Sequence, residues 1–112
     1  MTYVDSRDRL DLSIPALLDA GQKHGVENLR IFGSLARRDT DGARDVDLLV
    51  DLKSNRTLLN LVAFRRKAEK VLAVPVDVAT VDMLKERIRA KVLLEARPLP
   101  SSRKLHHDQT GM

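Results

Sequence analysis

Cysteine is absent from this 112-residue chain, which rules out disulfides and thiolate metal sites and leaves nothing in the composition that points to secretion. Aromatic residues amount to 3%, so there are few rings on which nucleobases can stack. No apolar window approaches the length of a membrane span. The opening Met1-Thr2-Tyr3-Val4-Asp5 has no basic region followed by an apolar stretch. The expectation is a cytoplasmic protein with no membrane association. Internal repeats and an internal linker are also lacking, and 112 residues at 43% hydrophobic content support one domain with one core. A net charge of +4 and a pI near 9.8 suit nucleic-acid affinity only weakly when aromatics are so scarce.

Hydrophobic spacing divides the chain into alternating helices and strands. Ser13-Ile14-Pro15 opens a helix to about Lys23, with Ile14, Leu17, Leu18 and Gly21 on its inner side and Gly25 as its stop. His24 falls at that helix end, where an imidazole favourably meets the negative end of the dipole. A strand over Leu29–Phe32 follows, then a turn, a short helix, a polar loop through Arg44, and a strand from Asp45 to Asp51. The Ser54–Thr57 turn starts a second long helix to about Leu72, whose Leu58, Leu61, Val62, Ala68, Val71 and Leu72 recur at helical spacing. Arg65, Arg66, Lys67 and Lys70 lie on or around its outer side, a solvated face or a docking surface for an acidic partner. The β-branched run Pro75–Val81 is a third strand. Asp82 then caps a last helix, with Leu84, Ile88 and Val92 spaced by four, which ends at Pro98 and Pro100. From Ser101 the chain is polar and aperiodic, a flexible tail in which His106 and His107 are solvated.

The chemistry concentrates in two short motifs. Gly33-Ser34 follows a strand and opens a helix, a glycine that takes angles other residues avoid followed by a capping serine. Helix starts of this kind present unpaired N–H groups to phosphate. Ten residues on comes Asp45-Val46-Asp47. Strand alternation puts both carboxylates on one face and Val46 and Leu48 on the other. Two parallel carboxylates repel unless a cation lies between them, and an all-oxygen donor set suits Mg²⁺ or Mn²⁺. Asp77, a lone acid in the third strand, falls beside the pair if the three strands share a sheet. It is then a third metal ligand, the base that takes a proton from an attacking hydroxyl, or both. Plain structural readings stand beside these. Gly33-Ser34 also fits an ordinary capped turn, Asp45 a strand cap, Asp47 a solvated edge charge, and Asp77 an ion pair with Arg30 or Arg44.

Gly-Ser, a ten-residue gap, Asp-x-Asp and a later Pro-Val-Asp strand together resemble the minimal nucleotidyltransferases of the DNA polymerase beta superfamily, from about Val26 to Leu99. The resemblance implies a single α/β (α+β) domain over residues 1–99, a small mixed sheet packed by helices, with 100–112 as tail. It further implies that Gly33 and Ser34 hold a triphosphate, with Arg37 one turn beyond, and that Asp45, Asp47 and Asp77 hold two Mg²⁺ ions. ATP is the implied donor. Arg38 stands where many relatives have glycine, a departure that bears on the loop's shape. Small members of this family are often antitoxins of helical HEPN ribonuclease toxins, and some adenylylate a toxin tyrosine, so the resemblance implies a HEPN-type partner and an adenylyltransferase. Three other roles remain open: a binding module that masks its partner, a repressor on promoter DNA, and a nucleotidyltransferase for a small molecule or RNA.

Overall fold

The computed structural model describes residues 6–33, 36 and 45–100. The elements in chain order are α1 (Ser6–His24), β1 (Val26–Phe32), β2 (Val46–Leu52), α2 (Leu58–Leu72), β3 (Val76–Ala79), a 3-10 turn (Val81–Met83), α3 (Glu86–Glu95) and β4 (Arg97–Pro98). The strands form one mixed sheet in the order β3-β2-β1-β4. β1 pairs antiparallel with both β2 and β4, whereas β2 and β3 run parallel. A small mixed sheet packed by helices is therefore what the chain builds. No helix among the described residues is long and apolar enough to cross a membrane.

The first helix begins well before Ser13, and Pro15 lies inside it. Proline removes one i→i−4 bond and crowds the preceding turn, but Pro15 is exposed while the opposite side of α1 is held by packing. Leu10, Leu17 and Ala20 are buried there, with Ile14 and Leu18 against the same core. Burial of that stripe outweighs the lost hydrogen bond. Gly25, at φ +72°, ends the helix in the left-handed region, as expected. The Cβ that any other residue would carry there would collide with the Arg56 side chain.

In α2 the buried residues are Leu61, Phe64, Ala68 and Leu72. The expected pattern was partly wrong. Leu58 and Val62 are exposed, and Phe64, at 0% exposure, is the central contact. Thr57 caps the helix start, its N–H bonded to Asn60 Oδ1 at 3.0 Å. At the other end the guanidinium of Arg9 donates to the Leu72 carbonyl at 3.4 Å, tying α1 to the negative end of α2. Glu69 Oε2 accepts from the Val76 N–H at 3.1 Å and pairs with Arg65 at 3.3 Å. That carboxylate occupies part of the exposed edge of β3, which blunts edge pairing.

Ala73 closes α2 at φ +61°. An L-residue in that region costs roughly 1–2 kcal/mol, and glycine there gives back part of the gain through unfolded-state entropy. Because Ala73 is exposed, Ala73→Gly is expected to stabilise the protein by about 0.5–1 kcal/mol, seen as a rise of a few degrees in thermal midpoint. A lower midpoint would show that the left-handed cap is not strained.

β2 alternates between two cores. Val46, Leu48 and Val50 face the α1/α2 side with Val76 and Ile31. Leu49 faces the other side, where Leu84 and Val92 cover it and Phe32, Ala79, Val81 and Ala96 pack around them. Asp82 belongs to the 3-10 turn and does not cap α3, whose N-cap position is Lys85. The chain reverses at Leu84 because that leucine is buried against Leu49, and the helix begins only afterwards. Ile88 is 40% exposed, so the leucine-isoleucine-valine spacing marks a core contact at its two ends only. After α3 the expected stop becomes a short strand, with Arg97 opposite Ile31 and Pro98 opposite Arg30. The described core reaches Leu99, which is buried.

Candidate active site

β1 delivers Gly33 and β2 delivers Asp47 to the same end of the sheet. Phe32 is the Cα partner of Asp47 across the antiparallel pair, and Asp47 is the Cα partner of Asp77 across the parallel pair. One row therefore runs Phe32, Asp47, Asp77 over three strands. Asp45 lies two residues before Asp47, with the fully buried Val46 between them. By alternation, then, all three aspartates belong to the sheet face away from α1 and α2. Leu49 and Ala79, the next pair down the same face, are covered by Leu84 and Val92. Apolar packing thus closes the face just below the acid row and leaves the row itself open, Asp47 half-buried and Asp45 and Asp77 exposed. Asp77 is exposed although its neighbours Val76 and Val78 pack toward the core, because β3 is the edge of the sheet.

Gly33 takes φ +75° and sits directly against Asp47. A Cβ at this position would overlap Asp47 Oδ2 and lie 3.3 Å from its Cγ. The glycine thus serves both backbone geometry and close approach to a carboxylate. Gly33→Ala is expected to cost roughly 1–2 kcal/mol from the left-handed backbone alone, and to displace the Asp47 carboxylate. Urea denaturation measures the first effect; unchanged stability would mean that the turn relaxes to negative φ.

Arg30 does not serve Asp77. Its Nη2 pairs with Asp51 Oδ1 at 3.1 Å, its Nε donates to the Asn28 carbonyl at 3.2 Å, and Asn28 Nδ2 donates to Asp51 Oδ2 at 3.0 Å. Asn28, at φ +55°, sits where the β1–β2 register shifts, and this irregularity brings the three groups together. Asp51 is thereby committed two rows away from Asp47. Ser34, Arg37, Arg38 and Arg44 lie outside the described residues, as do the expected helix start at Ser34 and the tail histidines His106 and His107.

Asp45, Asp47 and Asp77 offer only hard carboxylate oxygens, the chemistry that suits Mg²⁺, and the Gly33 cradle keeps one of them uncrowded. Strand placement and donor type fit a divalent ion. Among the described residues, however, no three carboxylate, imidazole or thiol groups are drawn together closely enough to hold one as the side chains stand. A cavity of about 510 Å³ lies elsewhere, at the opposite end of β2 and β3, lined in part by Lys53, Arg56, Leu58 and Val81. The acid row is the better candidate for chemistry, since Asp47 and Asp77 share a register row beside Gly33, whereas Asp51, opposite Glu27, is held by Arg30 and Asn28. One further residue carried no sequence signal. Arg89 is half-buried and its Nη2 donates to the Leu84 carbonyl at 2.9 Å, pinning the turn that covers Leu49.

Comparison with known proteins matches residues 16–100 to the nucleotidyltransferase domain family. A Methanocaldococcus jannaschii protein, named as an inferred protein adenylyltransferase, is 39% identical over 83 residues, which are 74% of this chain and 85% of that protein. Protein adenylyltransferase MntA of Thermococcus cleftensis is 32% identical over 74 residues, 66% of this chain and 75% of its own. A solved structure of an inferred minimal nucleotidyltransferase superposes with a TM-score of 0.72 at 32% identity, over 90% of this chain and 100% of the other.

Proposed function

Because this chain belongs to the nucleotidyltransferase domain family, we propose that it is a protein adenylyltransferase that moves AMP from ATP to a hydroxyl group of another protein. The family supports a nucleoside triphosphate as donor. The names of the two relatives from Methanocaldococcus jannaschii and Thermococcus cleftensis, both protein adenylyltransferases, support a polypeptide as acceptor. The single observation that carries the reading for this chain is the register row, with Asp77 opposite Asp47 and Gly33 pressed against Asp47.

In this proposal Asp45, Asp47 and Asp77 hold Mg²⁺, with Mn²⁺ as a substitute. Divalent ions, when bound, supply neutralisation of phosphate charge and acidification of the acceptor hydroxyl. Gly33, Ser34 and Arg37 bind the phosphates, the backbone N–H groups of the turn orienting them. The acceptor oxygen forms a bond to the α-phosphorus, the bond to the bridging oxygen of pyrophosphate breaks, and the hydroxyl proton leaves. Asp77 is exposed at the sheet edge, where it can meet an acceptor hydroxyl arriving from solvent and take that proton. The acceptor is a tyrosine of a helical HEPN-type ribonuclease toxin, which makes this chain an antitoxin acting by modification.

The test is incubation of the purified chain with ATP labelled at the α-phosphate, Mg²⁺ and the HEPN-type protein encoded beside it. Label on one tyrosine of that protein, with pyrophosphate released in equal amount, is the expected result. A complex that forms and carries no label would overturn the modification mechanism in favour of masking.

A further inference from the structure

The outward half of α2 has a use that the acid row does not supply. Leu58 is 64% exposed and Leu59 80%, large apolar groups in the first turn of the helix, and Val62 follows one turn later. Leu59, Val62, Arg66 and Lys70 are spaced by three, four and four residues, so they form one stripe. That stripe is opposite the buried Leu61, Phe64, Ala68 and Leu72. Its apolar end adjoins the 510 Å³ cavity, in which Leu58 shares the lining with Leu52, Val81, Lys53 and Arg56, and with two acids, Asp82 and the Asp51 that pairs with Arg30. Its other end is cationic, since Arg66, Lys67 and Lys70 are exposed while Arg65 is the one that pairs with Glu69.

We propose that this stripe and the adjoining cavity form a docking surface for an acidic amphipathic helix of a partner protein. The helix would set apolar side chains on Leu58, Leu59 and Val62 and its carboxylates beside Lys53, Arg56, Arg66, Lys67 and Lys70. Charge decides among the occupants. A second copy joined through a two-fold contact on this face would set one such stripe on another, and the stripe holds no acid of its own to answer Arg66 and Lys70. The chain's own segment beyond Pro100 carries Arg103 and Lys104 against a single Asp108, so it too is repelled. Duplex DNA would satisfy the cations, but it would leave Leu58 and Leu59 against phosphate with no ring nearby for a base. An acidic helix alone matches both the apolar and the cationic part, in the helix-on-groove mode of recognition. Because α2 packs on the sheet face opposite the aspartates, a partner held there leaves the acid row open.

Titration of the ¹⁵N-labelled full chain tests this, using a synthetic helical peptide with leucines along one face and glutamates on its flanks. Amide shifts confined to the 52–70 and 80–82 stretches are expected. Leu59→Asp and the double variant Arg66→Glu, Lys70→Glu are each expected to weaken binding about tenfold or more, as loss of an anchor or of paired charges does. All of these side chains are exposed, so thermal midpoints should stay near that of the wild type, and the melt checks that each variant is folded. Binding unaffected by both variants, equal binding of a glutamate peptide lacking leucines, or preferential binding of duplex DNA would each overturn the proposal.

Discussion

If the proposed AMP transfer runs through the acid row, Asp47→Asn is expected to lower it by about three orders of magnitude while leaving the fold intact, the scale set by the several kcal/mol that a bound metal contributes to phosphoryl chemistry. The amide keeps the size of the side chain but not its charge, and Asn tolerates a half-exposed strand position beside Val46 and Leu48. Stability should change little, because Asp47 lies on the open face while its buried neighbours hold the strand. Transfer measured with labelled ATP, beside urea denaturation, separates the two effects. The double variant Asp45→Asn, Asp47→Asn carries the same logic to the proposed antitoxin role. Loss of neutralisation with complex formation retained supports modification, whereas neutralisation that survives shows that the partner is silenced by masking. Transfer at wild-type rate in the single variant would remove the acid row from the mechanism altogether.

Phe64→Ala is expected to have the largest effect on stability. Phe64 is fully buried between the helices and the sheet, and truncation of a core phenylalanine typically costs about 3–5 kcal/mol through lost transfer free energy and the cavity left behind. A domain of this size has roughly 5–15 kcal/mol in total, so the variant stands near the edge of folding at physiological temperature. The midpoint in urea should fall sharply with the slope of the transition preserved. A loss below about 1 kcal/mol would mean that α2 shifts to refill the space. The other phenylalanine, Phe32, packs with Leu49 on the opposite side of the sheet and is not placed to fill it.

Much of the candidate site was legible because its signals are local. Gly33 reads as a strand-ending glycine, and its positive φ is the property that made it informative. Asp45 and Asp47 read as same-face acids because strand alternation has a period of two. Helix-facing residues were less legible. Spacing identified Leu61, Ala68 and Leu72 of α2 but also chose Leu58 and Val62, since an exposed apolar residue next to a buried one obeys the same period. Pro15 illustrates another limit: the local preference for a helix start gave way to burial of Leu10 and Leu17 on either side of it. The sequence left Arg30 open as an ion-pair partner of Asp77. The register irregularity at Asn28 is what sends it to Asp51.

From its sequence alone this chain is a series of helices and strands with a glycine turn and two same-face carboxylates, since backbone angle, alternation and helical period all act between near neighbours; the mixed sheet and the phosphate-transfer site were what the family resemblance implied. Tertiary structure decided which strands lie side by side: β3 runs parallel to β2 at the sheet edge, Asp77 stands opposite Asp47, and Gly33 leans on the Asp47 carboxylate. A periodic pattern tells which face a side chain takes but not which strand it will meet. That choice is made by the packing of α1 and α2 on one face and of Leu84 and Val92 on the other.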